Sequence, residues 1–259
     1  LLAQNFTTAT DSHNTAVGDG AGKAVTTGIQ NTLIGSSAGD ALTDADFNTA
    51  VGMVALSSDT LGSKSTALGY AALEAQNFTT ATDTFNTALG FNAGALVTTG
   101  TKNQLFGAEA GDALTDADFN VAVGYAALGG DTLGSRSTAI GHGALFAQNF
   151  TTATDTYNVA VGYQAGVAVT TGVENTIIGG LAGDALTDAD FNVAIGYSAL
   201  GADTLGSKSV AVGHNNLRTQ NFTTATNSFN TAIGHGAGLN MTTGVQNTLI
   251  GGEAGDSLT

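Results

Sequence analysis

Asn14-Thr15-Ala16-Val17-Gly18 is the stretch that decides the fold, because it returns. As itself or a close variant it begins again at Asn31, Asn48, Ser65, Asn86, Asn103, Asn120, Ser137, Asn158, Asn175, Asn192, Ser209, Asn230 and Asn247. The steps run 17, 17, 17 and 21 residues, and that order holds through fourteen boxes without an insertion. A longer period encloses the short one: Gln4-Asn5-Phe6-Thr7-Thr8-Ala9-Thr10 comes back at Gln76, Gln148 and Gln220, always 72 residues on. A 17-residue unit cannot hold a pair of packed helices. It suits one turn of a solenoid whose short strand stacks on its equivalents above and below. The sequence therefore predicts an all-β, parallel β-solenoid of 17-residue coils in a 72-residue super-repeat. It forms a single continuous repeat domain over 1–259, with super-repeats at approximately 3–74, 75–146 and 147–218 and a partial one at 219–259. Both termini fall inside a repeat, which is expected of a segment of a longer chain.

Each box contributes one strand. Its third and fourth positions are apolar almost throughout, as in Ala16 and Val17, Leu33 and Ile34, or Ile177 and Ile178. Period-2 alternation sends these two to opposite faces. One face lines the coil's interior, and the other, in so thin a structure, calls for a second chain. The closing glycine (Gly18, Gly35, Gly52, Gly90) has two structural readings, a corner needing positive φ or a place with no room for a side chain. The opening asparagine (Asn14, Asn31, Asn48, Asn86) likewise fits either a local Asx turn or an amide ladder along the stack. Small residues such as Ala21-Gly22, followed by Thr26-Thr27-Gly28, read as a return strand and its turn. The four extra residues of each 21-residue step form a regular loop, either a binding surface or a solvated spacer.

Composition narrows the function. With 21 acidic against 6 basic residues the net charge is -15, so nucleic acid is an unfavourable partner. There is no cysteine, hence no disulfide or thiolate metal site. No apolar run approaches the roughly 20 residues that span a bilayer as a helix.

The boxes followed by Ala-Gly, as in Asn14 to Gly22 and Asn158 to Gly166, resemble the repeat region of phage tail fibres and the head repeats of trimeric autotransporter adhesins. The resemblance covers essentially the whole chain. It implies a left-handed parallel β-roll, three identical chains around a common axis, and an extracellular setting, a virion tail fibre or a cell surface. The coils here are longer than those of adhesin heads, and Thr-Thr-Gly paired with Ala-Leu-Thr-Asp is closer to the phage sequences.

Candidate sites are few. Asp-Ala-Leu-Thr-Asp-Ala-Asp-Phe recurs with carboxylates at Asp40, Asp44, Asp46; Asp112, Asp116, Asp118; and Asp184, Asp188, Asp190. Clustered oxygens suit calcium, the one cofactor with any sequence support. Equally, they suit solvated turns whose carboxylates cap backbone donors. Paired carboxylates can cleave glycosides, but identical pairs in every unit are unlike a singular active site. His13, His142, His214 and His235 read as sharing no common position. The threonine row beginning at Thr15, Thr32 and Thr49 breaks at Gln104 and Val121, which weakens an ice-binding reading and fits a half-buried β position. Phe47, Phe85, Phe119, Tyr157, Phe191 and Phe229 each precede a box and read as fillers of corners or inter-chain seams, with sugar stacking as the alternative. The expectation is a non-catalytic structural shaft of an extracellular fibre, most like a phage tail fibre, assembling as a homotrimer or by fibre self-association. An adhesin head that grips a cell-surface glycan or protein receptor and a self-assembling filament subunit are the alternatives.

Overall fold

The computed structural model describes all residues from Leu1 to Thr259. Two compact units divide the chain, Leu1–Val123 and Gly124–Thr259. There is no helix, so none is long and apolar enough to cross a membrane. In the first unit the box strands Thr15–Val17, Thr32–Ile34, Thr49–Val51, Thr66–Leu68, Thr87–Leu89, Gln104–Phe106 and Val121–Val123 pair in parallel and in register, Thr on Thr up to Thr87, then Thr87 on Gln104 and Gln104 on Val121, with Ala on Leu or Ala beside them. The second unit repeats this from Thr138–Ile140 to Thr248–Ile250. Parallel neighbours need a connection that carries the chain back to its start. Here that connection is the rest of the coil, and the fold is the predicted parallel β-solenoid.

The return path is not the strand that the sequence suggested. Residues after the glycine run through turns, and the ladder continues around them without strand geometry: Gly22 N donates to Ala38 O at 3.0 Å, Ala24 N to Asp40 O at 3.0 Å, and Thr26 N to Thr43 O at 3.0 Å. Left-handed residues make the corners, one just before each box (Phe47 φ 61°, Lys64 φ 63°) and one two residues after its glycine (Ser37 φ 54°, Val54 φ 52°). A non-glycine residue there costs about 1–2 kcal/mol, and stacking on identical neighbours offsets it.

Packing explains why the super-repeat spans four coils. Three of the four coils supply a large side chain to the axis, from one wall or the other. The first supplies only Ala88 and Gly94, where a Cβ on Gly94 would lie 2.6 Å from Leu105 Cδ1 and 3.1 Å from Leu73 Cδ2 of the neighbouring coils. In the second coil Leu33 projects from the strand, and glycines face it: a Cβ on Gly39 would lie 2.7 Å from Leu33 Cδ2. In the third and fourth coils the strand offers only Ala50 and Ala67, and Leu56 and Leu73 fill the space from the opposite wall. All of these are fully buried. Burying a leucine is worth about 1.5–3 kcal/mol, and that gain survives only if leucine meets small residues across the axis.

Both readings of the box glycine hold together. Gly52 has φ 140°, and a Cβ on it would lie 2.2 Å from Gly69 O in the next coil. For asparagine the ladder holds and the local turn does not. Asn31 Oδ1 accepts from Asn48 N at 2.9 Å, while its Nδ2 donates to Ala45 O at 2.7 Å. Each amide thus clamps the chain one full turn on, and Asn14, Asn86 and Asn158 repeat the pattern.

The fourth coil opens with serine, Ser65, whose Oγ meets Thr84 Oγ1 of the next coil at 2.6 Å in place of the asparagine clamp, and a buried polar group completes the connection. Gln76 Nε2 donates to Asp59 Oδ2 at 2.5 Å and to Ser65 Oγ at 2.9 Å, and Asn86 Nδ2 donates to Gln76 Oε1 at 2.8 Å. Asp59 Oδ1 accepts from Gly62 N and Phe78 N, each at 3.0 Å. Asp59 and Gln76 occupy the row that Val25 and Leu42 fill in the preceding coils. The same set recurs as Asp203, Gln220, Ser209 and Asn230. The added loop is therefore half anchored: Gln76 and Phe78 are inside, whereas Asn77 and Thr79 to Ala81 are exposed. Beside it lies a short parallel pair, Gly62–Ser63 with Thr82–Asp83.

Candidate functional site: the outward strand face

Alternation puts the second and fourth box positions outside, and the corners add the residue before each box and the one after its glycine. Four rows result on one side of every coil. The fourth position is aliphatic except at Phe106, and Val17, Leu68, Leu89, Ile140, Ile178 and Ile233 are exposed. Phe47, Phe85, Phe119, Tyr157, Phe191 and Phe229 form the row before the box, and each is exposed, so they do not fill corners. Tyr70, Phe91, Tyr125, Tyr163 and Tyr197 follow the glycine. Of the 26 exposed large apolar side chains, 20 lie on this face.

Three of the histidines belong to that last row, contrary to the expectation that they share no position. His142, His214 and His235 each follow a box glycine, a signal legible in Gly141-His142, Gly213-His214 and Gly234-His235. His142 lies between Tyr125 and Tyr163, at centroid distances of 5.3 and 5.4 Å. Tyr197, His214 and His235 stack at 5.5 and 5.1 Å. Only His13 stands apart, in the row before the box.

That row sets Lys64, Lys102, Arg136 and Lys208 between aromatic residues, with Gln30, Glu174 and Gln246 at the other alternate places. Lys64 lies 5.2 Å from the Phe85 ring centre, Lys102 4.6 Å from Phe119, and Lys208 5.4 Å from Phe229. Lys64 also meets Asp83 at 2.5 Å, and Arg136 meets Asp155 at 2.8 Å. Cation–π contacts at exposed sites are worth about 0.5–1 kcal/mol each. They hold the rings upright, with their faces toward coil neighbours rather than toward solvent.

The acidic turns lie elsewhere on the coil. Asp44, Asp116 and Asp188 accept from Thr27, Thr99 and Thr171 Oγ1 at 2.6, 2.6 and 2.7 Å. Asp46, Asp118 and Asp190 accept backbone N–H groups from Ile29, Thr101 and Val173 at 2.8, 2.6 and 2.8 Å. These bonds tie each Thr-Thr-Gly turn to the aspartate turn one coil on, as capping carboxylates do. Asp40, Asp112 and Asp184 are half-buried, and burial raises the carboxyl pKa of Asp112 and Asp184 above the ordinary 3.8. The three aspartates of each segment do not converge, and no group of three or more His, Cys, Asp or Glu is placed to hold a metal ion.

The buried carboxylates Asp59, Asp131 and Asp203 escaped sequence reasoning. Their signal was available: Asp-Thr-Leu-Gly-Ser occurs only in the third coil of each super-repeat, 17 residues before the Gln-Asn-Phe of the fourth.

No family model matches the chain, and the searches of curated proteins and of solved structures return no match.

Proposed function

We propose that this chain is a structural, non-catalytic shaft segment of an extracellular fibre, most like the repeat region of a phage tail fibre, and that it spaces other parts of the assembly apart along its axis. The observation that supports this best is the uniformity of the inter-coil bonding. The asparagine clamp and the glycine contact recur in coil after coil, and where serine interrupts the clamp, a glutamine from the added loop replaces it. Stability that accumulates through nearest-neighbour coils suits a member whose length is set by coil number. Homotrimeric assembly and a cell-surface receptor are part of the proposal, the first developed below.

Negative-stain microscopy of chains with one super-repeat deleted or added tests the reading. Rod length is expected to change by about 19 Å for the four coils involved, at roughly 4.8 Å per coil. Particles whose length does not follow coil number would refute it.

A further inference from the structure

The outward strand face also separates charge. Its four rows hold Lys64, Lys102, Arg136 and Lys208, four of the six basic residues, and all four histidines, but only Asp19 and Glu174 of the 21 acidic ones. The face is thus +2 by formal count, from four cations less two anions, in a chain of -15; the remaining surface and interior carry -17. Like charge between copies is therefore far smaller on this face than on the rest of the chain.

Area points the same way. Ten of the exposed large apolar side chains on this face belong to each unit. An aromatic side chain offers 150–250 Å², of which about half is free here, so each unit presents on the order of 800 Å² of apolar surface. The largest patch on an ordinary monomer is roughly 300–600 Å², and a stable interface takes about 800 Å² from each partner. Periodicity selects the partner. The rows advance one rung per coil, about 4.8 Å, and a surface with any other axial repeat drifts out of step with them. A second copy lying alongside in parallel has the same rungs, and its side chains can enter the gaps between rows along each unit.

From this segregation of charge, area and period we infer that the outward strand face, the rows of Val17, Phe47 and Tyr70, is the seam by which identical chains associate side by side in parallel. Asp83 and Asp155, paired with Lys64 and Arg136 beside the face, mark its rim. The inference rests on the shaft reading for the identity of its partner, but it fails separately: rod length tests the shaft, and the measurements below test the seam.

Two measurements decide it. Light scattering of the purified chain is expected to give a multiple of 25.5 kDa, three-fold if the resemblance to trimeric fibres extends to copy number. A particle of 25.5 kDa at micromolar concentration overturns the seam. The chain has no cysteine, so single-cysteine variants report locally without background. Ile178→Cys, on the face, is expected to react with a maleimide roughly tenfold or more slowly than Phe146→Cys, which is exposed off the face, and to catch up in denaturant. Equal native rates at the two positions place the association elsewhere and overturn the seam.

Discussion

Replacing Asp59 by alanine tests whether the buried polar group holds the fourth coil in place. The carboxylate accepts from Gly62 N, Phe78 N and Gln76 Nε2, and the residue is fully buried. Alanine leaves two backbone N–H groups and one of the two Gln76 Nε2 hydrogens without an acceptor, at about 1–3 kcal/mol each, a range of about 3–9 kcal/mol. Water entering the vacated space takes up part of the loss, which places the expectation at about 3–5 kcal/mol. Asp59→Asn should cost less, about 1–3 kcal/mol, because Oδ1 still serves the two backbone amides while Nδ2 faces the Gln76 amide donor. Urea unfolding followed by circular dichroism measures the total. Hydrogen exchange localises it: protection should fall at Gly62 and Phe78 and in the adjoining coils, and stay unchanged several coils away, as nearest-neighbour coupling requires. A loss under about 1 kcal/mol, or exchange that rises uniformly through the chain, would refute the reasoning.

The box glycine predicts a contrast. Gly52→Ala, whose Cβ would lie 2.2 Å from Gly69 O at φ 140°, should destabilise by about 3 kcal/mol or more, whereas Gly180→Ala, with nothing nearer than 3.7 Å, should stay within about 0.5 kcal/mol in thermal unfolding. Acidity gives the last prediction. Burial raises the folded pKa of Asp112 and Asp184 above 3.8, so their contribution is favourable below that value and is lost as pH rises through the folded pKa. Asp112→Asn and Asp184→Asn should therefore raise the melting temperature at pH 7 and leave it nearly unchanged near pH 3; a lower melting temperature at pH 7 would show that the carboxylates are needed as acceptors.

Sequence by itself determined the coil. Boxes spaced 17 residues apart admit only a stack of short parallel strands, and the register follows from the boxes, because a slip of one residue would turn Ala16 or Leu33 outward. The alternation also announced that Val17 and its equivalents lie on a second apolar face. What the tertiary structure decided are relations between residues a full turn apart. Asn31 could be a local turn or a clamp on the next coil until Asn48 N and Ala45 O were seen at its amide. His214 and His235 could be scattered substitutions until their rings were found 5.1 Å apart. Asp59 and Gln76 are marked in the sequence by their fixed 17-residue spacing, but as polar residues they are not placed by it in the buried row of Val25 and Leu42. Composition places polar residues outside by default, and only the path of the chain shows which of them are turned inward together and satisfy one another.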